Sequence, residues 1–334
     1  MAMISRKEVP TTSMRLVLLV AMFKIELVKG GAVHRDVEEL QLQRWRQKLP
    51  DVGIPPPIAV GLSPLTQRDL HHFRAVLKAN ESLNATRFCN VARLSCRPNM
   101  PVLRSSITSY GCTSLCNEDD MHLYVDAAEL RAGGQMTLPD FHPPVTWKSF
   151  LPRELAEIMP PLSAGNVDQI LRLLDIPRGC NLSRNMLSTV EACEARLGEG
   201  ESRTCCTSVE CMLDYVASNF GSDVELVSDT SVVGSGQRAK VIKAKKRKKV
   251  SGKAPMACHR LVFPYGVLYC HYFNGTDAFD LELEVTQNGR SVTRTASAVC
   301  HYFSNKEKEG TGKQPVCHLI YGSTFLWLHG NRHH

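Results

Sequence analysis

The stretch AFDLELEVTQNGRSVTRTASAVCH, Ala278–His301, decides how the chain is read. Phe279, Leu281, Leu283 and Val285 alternate with Asp280, Glu282 and Glu284, the period of a strand with one buried face. Asn288-Gly289 follows, a dipeptide that tolerates the positive φ angles of a two-residue hairpin turn. A second strand then runs through Val299 into Cys300-His301. An antiparallel hairpin is expected here, within a sheet-rich region that begins near residue 224.

Upstream the period is 3.6. A helix is expected around LTQRDLHHFRAVLKA (65–79), and Pro152 suits the first turn of a helix through RELAEIM. GNVDQILRLLDI places Val167, Ile170, Leu171 and Leu174 on one face. TSVECMLDYVASNFG offers Thr207 and Glu210 as a capping box and Gly221 as a C-terminal stop. MHLYVDAAELRAGGQMTLPDF (121–141) reads as two short strands around Gly133-Gly134. Residues 1–118 otherwise read as loosely organised, with the Pro-rich patch GIPPPIAVGLSP (53–64). Helices followed by a predominantly antiparallel C-terminal sheet region make an α+β chain.

The dipeptide that ends the hairpin recurs, at Cys258-His259, Cys270-His271, Cys300-His301 and Cys317-His318. Random placement of 13 Cys and 12 His among 334 residues gives about 0.5 Cys-His dipeptides, so four are no accident. Neighbours on a strand point to opposite faces, which separates the thiols from the imidazoles. Cys258, Cys270, Cys300 and Cys317 can then pair as two disulfides, while His259, His271, His301 and His318 can converge. An imidazole set without thiolate leans towards copper. The same alternation argues against C-x2-C zinc clusters and against a catalytic dyad made of sequence neighbours. Chemistry alone leaves two readings open: a metal site, or structural disulfides with packed histidines. Cys112 and Cys116 have no matching second pair and are expected as a local disulfide or free thiols.

Thirteen cysteines point to an oxidising compartment. Arg6-Lys7, the apolar run LVLLVAMF (16–23) and Lys24 have the order of a signal peptide, expected within residues 1–25. Eight apolar residues are too few to span a bilayer. Asn80, Asn84, Asn181 and Asn274 stand in glycosylation sequons. Net charge is +7, and KAKKRKK (243–249) concentrates part of it. No aromatic residue interleaves with that run, so a solvated loop is expected there rather than a nucleic-acid site.

The pattern CH-x10-CH-x28-CH-x15-CH, with Trp327 shortly after, resembles the plant BURP domain. CEARLGEGESRTCCTSVECMLDY (193–215), FPYGVLYCH, QPVCH, FLPRELAEIMP (150–160) and MHLYVDAAELRAGGQMTL are similar to further family segments. The resemblance implies a BURP domain over 119–328. It implies a variable N-terminal region, 26–118, carrying a short family segment, RWRQKLPDVGIPPPI (44–58). Residues 60–118 match no family segment and read as a spacer. The third gap, at 15 residues, is shorter than the family's, and SNKEKEGTGK (304–313) lacks the usual Asp and Trp. A disulfide between Cys193 and Cys205 is also implied, with Cys206 and Cys211 as extra thiols.

For function, the resemblance implies a secreted protein of the apoplast or cell wall, with the vacuole or another secretory compartment as the alternative. Many family members are non-catalytic and linked to development or stress. One relative is a non-catalytic subunit of polygalacturonase. Others are copper-dependent peptide cyclases that crosslink Tyr or Trp side chains of a core peptide, which would make His259, His271, His301 and His318 copper ligands. This chain shows no repeated core peptide in its N-terminal region, and its one Trp there, Trp45, lies in the family segment. The expectation is therefore a non-catalytic protein, with the cyclase as the alternative. Acidic pectin or wall proteins are the expected partners.

Overall fold

The computed structural model describes residues 36–97, 124–138, 148–198, 200–228, 237–302, 315–320, 322 and 324–330. The expected leader, Cys112, Cys116 and the 304–313 stretch lie outside the described residues.

Eight α-helices are described. They are α1 (Val37–Lys48), α2 (Pro56–Ala59), α3 (Gln67–Lys78), α4 (Ala85–Val91), α5 (Arg153–Ala156), α6 (Val167–Leu173), α7 (Asn181–Glu194) and α8 (Val209–Phe220). The strands before the first Cys-His dipeptide are β1 (Tyr124–Val125), β2 (Gln135–Thr137), β3 (Glu201–Cys206), β4 (Val224–Val227) and β5 (Arg238–Lys246). Then follow β6 (Met256–Leu261), β7 (Val267–Phe273), β8 (Thr276–Gln287), β9 (Arg290–His301), β10 (Val316–Ile320) and β11 (Thr324–His329). Helices precede a mainly antiparallel region, the α+β order read from the sequence.

The β8–β9 hairpin forms as its alternation dictates. Gln287 faces Arg290, and Asn288 and Gly289 turn with φ of 51° and 74°. It is the centre of a six-stranded sheet ordered β1-β10-β9-β8-β5-β2; a second sheet is ordered β3-β7-β6-β11-β4. Every neighbouring pair is antiparallel.

The two sheets meet through a small apolar layer of Ala257, Leu326 and Leu328 from one and Ala278, Val299 and Ile320 from the other. The outer face of the five-stranded sheet is covered by α1 and α8. Trp45, Val209, Met212, Leu213, Val216 and Phe220 pack there on Met256, Leu268, Phe325 and Trp327. The outer face of the six-stranded sheet buries Val241, Leu281, Leu283 and Leu319 under Val125, Leu130, Met136 and Leu138. A third core gathers α3, α4, α6 and α7 around Phe263, Tyr265, Val267 and Tyr269. The apolar alternation of β8 is thus spent on the outer, covered face of its sheet.

Several elements differ from the sequence expectation. The strands around Gly133-Gly134 do not pair with each other; β1 joins β10 and β2 joins β5, at opposite edges of one sheet. The N-cap of α8 is Ser208, whose hydroxyl accepts the Cys211 N–H. Thr207 is displaced from that role, and Glu210 turns inward to meet Arg44 at 2.7 Å. Pro152 is itself the N-cap of α5, a helix of one turn. Residues 36–97 are not loosely organised, since four helices are described there in place of one. In α1 only Val37, Gln41 and Trp45 are buried, a stripe one residue wide at spacing four, which hides the helix from a periodicity search. The basic run is not a loop throughout, because Lys243–Lys246 lie on β5.

Candidate functional site

Strand geometry brings the four Cys-His dipeptides together in pairs. Cys258 stands opposite Cys270 across β6 and β7, and Cys300 opposite Cys317 across β9 and β10. Both pairs form disulfides. The first lies in the core beneath α1 and α8, the second in the core beneath Leu130 and Met136, so both sulfur bridges occupy outer faces. Alternation sends each neighbouring histidine the other way, into the space between the sheets.

There the imidazoles form a closed ring. Centroid distances run 5.3 Å from His259 to His271, 5.0 Å from His271 to His301, 5.6 Å from His301 to His318 and 5.2 Å from His318 to His259. His271 and His301 are fully buried, while His259 and His318 keep some exposure, so the ring opens on their side. Tyr269 flanks it, 4.9 Å from His271, with the buried pair Glu201–Arg203 beyond.

Polar partners fix the outer nitrogen of three rings. Thr324 Oγ1 lies 3.2 Å from His259 Nδ1, Thr276 Oγ1 lies 3.0 Å from His301 Nδ1, and the Leu319 carbonyl lies 3.2 Å from His318 Nδ1. The Thr276 hydroxyl also accepts the Phe273 N–H. His259 Nε2 and His271 Nε2 approach each other at 3.2 Å. Burial holds all four imidazoles below the ordinary histidine range: His271 falls to about 3 and His318 to about 4, and His259 and His301 fall well below it. Neutral imidazoles at neutral pH follow, with ring nitrogens available as lone-pair donors.

That donor chemistry fits an imidazole-preferring ion such as Cu(II) or Zn(II). Two nitrogens bound to one ion at about 2.0 Å each, at the tetrahedral angle, are about 3.3 Å apart. The His259–His271 contact has that separation. The arrangement is not a finished coordination sphere, however: among the described residues no three His, Cys, Asp or Glu side chains converge closely enough to hold a metal as they stand.

The remaining candidates fall elsewhere. Cys193–Cys205 ties α7 to β3, and Cys206–Cys211 ties β3 to α8. Cys89–Cys96, in the region read as a spacer, is a fifth disulfide, and Cys180 is a free thiol at the N-cap of α7. Asn80, Asn84 and Asn274 are exposed, and Asn84 also caps α4; Asn181 is half-buried at the start of α7. The roles of Thr276 and Thr324 beside the histidines carried no signal in the sequence, since each arises only from strand register: Thr276 stands opposite His301 across β8 and β9, and Thr324 opposite His259 across β11 and β6.

The basic run is largely a ladder of opposite charges. Lys240, Lys243 and Lys245 stand in register with Glu284, Glu282 and Asp280 on β8. Lys243 pairs with Glu282 at 2.9 Å, Lys246 with Asp277 at 2.6 Å, and Arg247 bridges Asp280 and Glu225. Such cross-strand pairs fix register. Among the described residues no helix is long and apolar enough to cross a membrane.

Residues 123–329, which carry all four Cys-His dipeptides and Trp327, match the family model of the BURP domain. The chain belongs to the BURP domain family. It is similar to the BURP domain-containing protein 16 of Oryza sativa subsp. japonica, 24% identical over 310 residues, which cover 85% of this chain and 87% of that one. The BURP domain protein RD22 of Arabidopsis thaliana is 32% identical over 194 residues, 54% of this chain and 48% of RD22. The polygalacturonase non-catalytic subunit AroGP2 of Solanum lycopersicum is 24% identical over 210 residues, 59% of this chain and 33% of that protein. The chain thus spans half or less of the latter two relatives. The BURP match begins beyond α1 to α4, yet the five-stranded sheet inside it is covered in part by Trp45 of α1.

Proposed function

We propose that this BURP protein is a secreted, non-catalytic component of the plant cell wall acting in development or stress response, with acidic wall polysaccharide or wall proteins as partners. The observation that carries the reading is the cysteine chemistry: ten of the eleven described cysteines are paired in five disulfides. Pairing on that scale belongs to an oxidising compartment. The tomato relative, a polygalacturonase non-catalytic subunit, supports the non-catalytic reading by similarity. In it the imidazole ring is a packed, neutral filling between two sheets. Expression of a tagged full-length chain in plant tissue tests it. Recovery from the wall fraction, with thiols oxidised and sequons glycosylated, is the expected result; a reduced cytosolic protein overturns it.

One observation favours a second reading, a copper-dependent peptide cyclase: the four imidazoles share one interior space with an opening at His259 and His318. Copper, when bound, would supply one-electron oxidation chemistry. The chain's own residues would hold it through His259, His271, His301 and His318, orient those rings through Thr324, Thr276 and the Leu319 carbonyl, and exclude water at the His271 end. Metal analysis of the purified secreted protein, followed by mass spectrometry of a supplied Tyr- or Trp-containing peptide, separates the readings. Stoichiometric copper and a loss of two hydrogens from the peptide would replace the non-catalytic reading.

A further inference from the structure

The second half of the basic run passes from the end of the charge ladder into a groove. Lys245 and Lys246 end β5, the chain turns through Arg247, Lys248, Lys249 and Lys253, and the opposite wall is Glu225 of β4 with Leu328 and His329 of β11. The groove encloses about 480 Å³ and is open to solvent along one side. Six cationic side chains line it against two carboxylates, Glu225 and Asp280, and Arg247 already bridges both of these. Lys246 and Lys249 share Asp277 behind the wall. Exposed Lys245 and Lys248 make no ion pair among the described residues. Six cations against two carboxylates leave the groove an excess of positive charge, although Lys245, like Lys240 and Lys243, stands opposite a carboxylate in the ladder.

We propose that this groove binds a linear polymer of carboxylate-bearing sugars, a polyuronate. Lysines on flexible stems suit several singly charged carboxylates in a row, which they meet as point charges. The walls offer no Phe, Tyr or Trp face on which a nucleobase could stack, so a single-stranded nucleic acid is the poorer fit. Affinity comes from several weak, solvent-exposed contacts acting together and is screened by salt. The choice of a wall sugar over other polyanions rests on the secreted reading above; the groove itself does not.

The test is titration of the full-length secreted protein with a de-esterified oligogalacturonate, its methyl-esterified form and single-stranded DNA of similar length. The de-esterified oligomer is expected to bind, with affinity falling as salt rises, and the esterified form to fail. The double variant Lys245→Ser/Lys248→Ser should weaken binding at least tenfold. Lys78→Ser, the same kind of charge loss on an exposed position of α3, should leave it within twofold. Binding unchanged in the double variant, or displaced equally well by DNA, overturns the proposal. A protein that sits in the wall but shows no lysine-dependent binding overturns the groove alone and leaves the wall reading standing.

Discussion

Trp45 packs on Trp327 with ring centroids 5.9 Å apart, joining the helix before the BURP match to the last strand inside it. Both indoles are buried; Trp45 Nε1 donates to the Val52 carbonyl, and Arg44 beside it reaches Glu154 and the buried Glu210. The 44–58 segment is therefore part of the folded core and not a tether.

Trp45→Ala should consequently destabilise the whole domain by about 3–5 kcal/mol, the usual range for deleting a buried aromatic. A fragment starting at residue 119 should behave similarly, exposing the face that α1 covers. Urea unfolding of both against the full chain checks this. An unchanged midpoint would mean that α1 is not part of the cooperative unit.

Protonation of the imidazole ring gives a pH dependence with a definite sign. Burial lowers the four pKa values in the folded state, so the unfolded chain binds more protons below the ordinary value of 6.5. The stability conferred by neutral, packed rings is complete above that value and is lost as pH falls towards the folded values of about 4 for His318 and about 3 for His271. Metal-free protein should show a denaturation midpoint that drops steadily from pH 7 to pH 4. His301→Gln should flatten that slope while lowering the midpoint at pH 7.

Disulfide removal should follow loop length. Cys300–Cys317 and Cys258–Cys270 close separations of 17 and 12 residues, against 5 for Cys206–Cys211. On chain-entropy grounds the first two are each worth about 3 kcal/mol and the last less. Paired Cys→Ala variants, compared by thermal unfolding, check the order.

Thr276 offers a separate handle on the metal reading. Its hydroxyl faces His301 Nδ1 and takes the Phe273 N–H, so Thr276→Val removes a ring orienter at nearly constant volume. If the imidazoles take up copper, affinity in this variant should fall by about 10–100-fold, the usual effect of losing a partner of a ligand histidine, with Thr276→Ser restoring most of it. Copper titration with electron paramagnetic resonance reads the change directly. An unaltered affinity and spectrum would leave Thr276 a purely structural residue.

How far the sequence discloses this arrangement depends on the range of the forces involved. Phe279 to Val285 and Asn288-Gly289 encode the hairpin through alternation and turn chemistry, both local, and the structure keeps that register residue by residue. Thr207 and Ser208 are both competent caps; Ser208 takes the role, and Glu210 turns inward to Arg44, far away in the chain. Helix α1 escapes notice because its buried stripe includes the polar Gln41, whose side-chain oxygen accepts the Ser63 N–H. Alternation at each Cys-His dipeptide separates sulfur from nitrogen on local grounds. That His259 and His271 meet His301 and His318 requires two sheets to stack, which no local pattern states.

Each described disulfide closes within one sheet, between a helix and a strand, or in the short Cys89–Cys96 loop; none bridges the two sheets. The two sheets are therefore braced plates with a seam between them, held across by aliphatic side chains, four imidazole rings and the Arg247 bridge from Asp280 to Glu225. A load that pulls the two sheets apart meets no described disulfide across the seam, and the histidines sit on it.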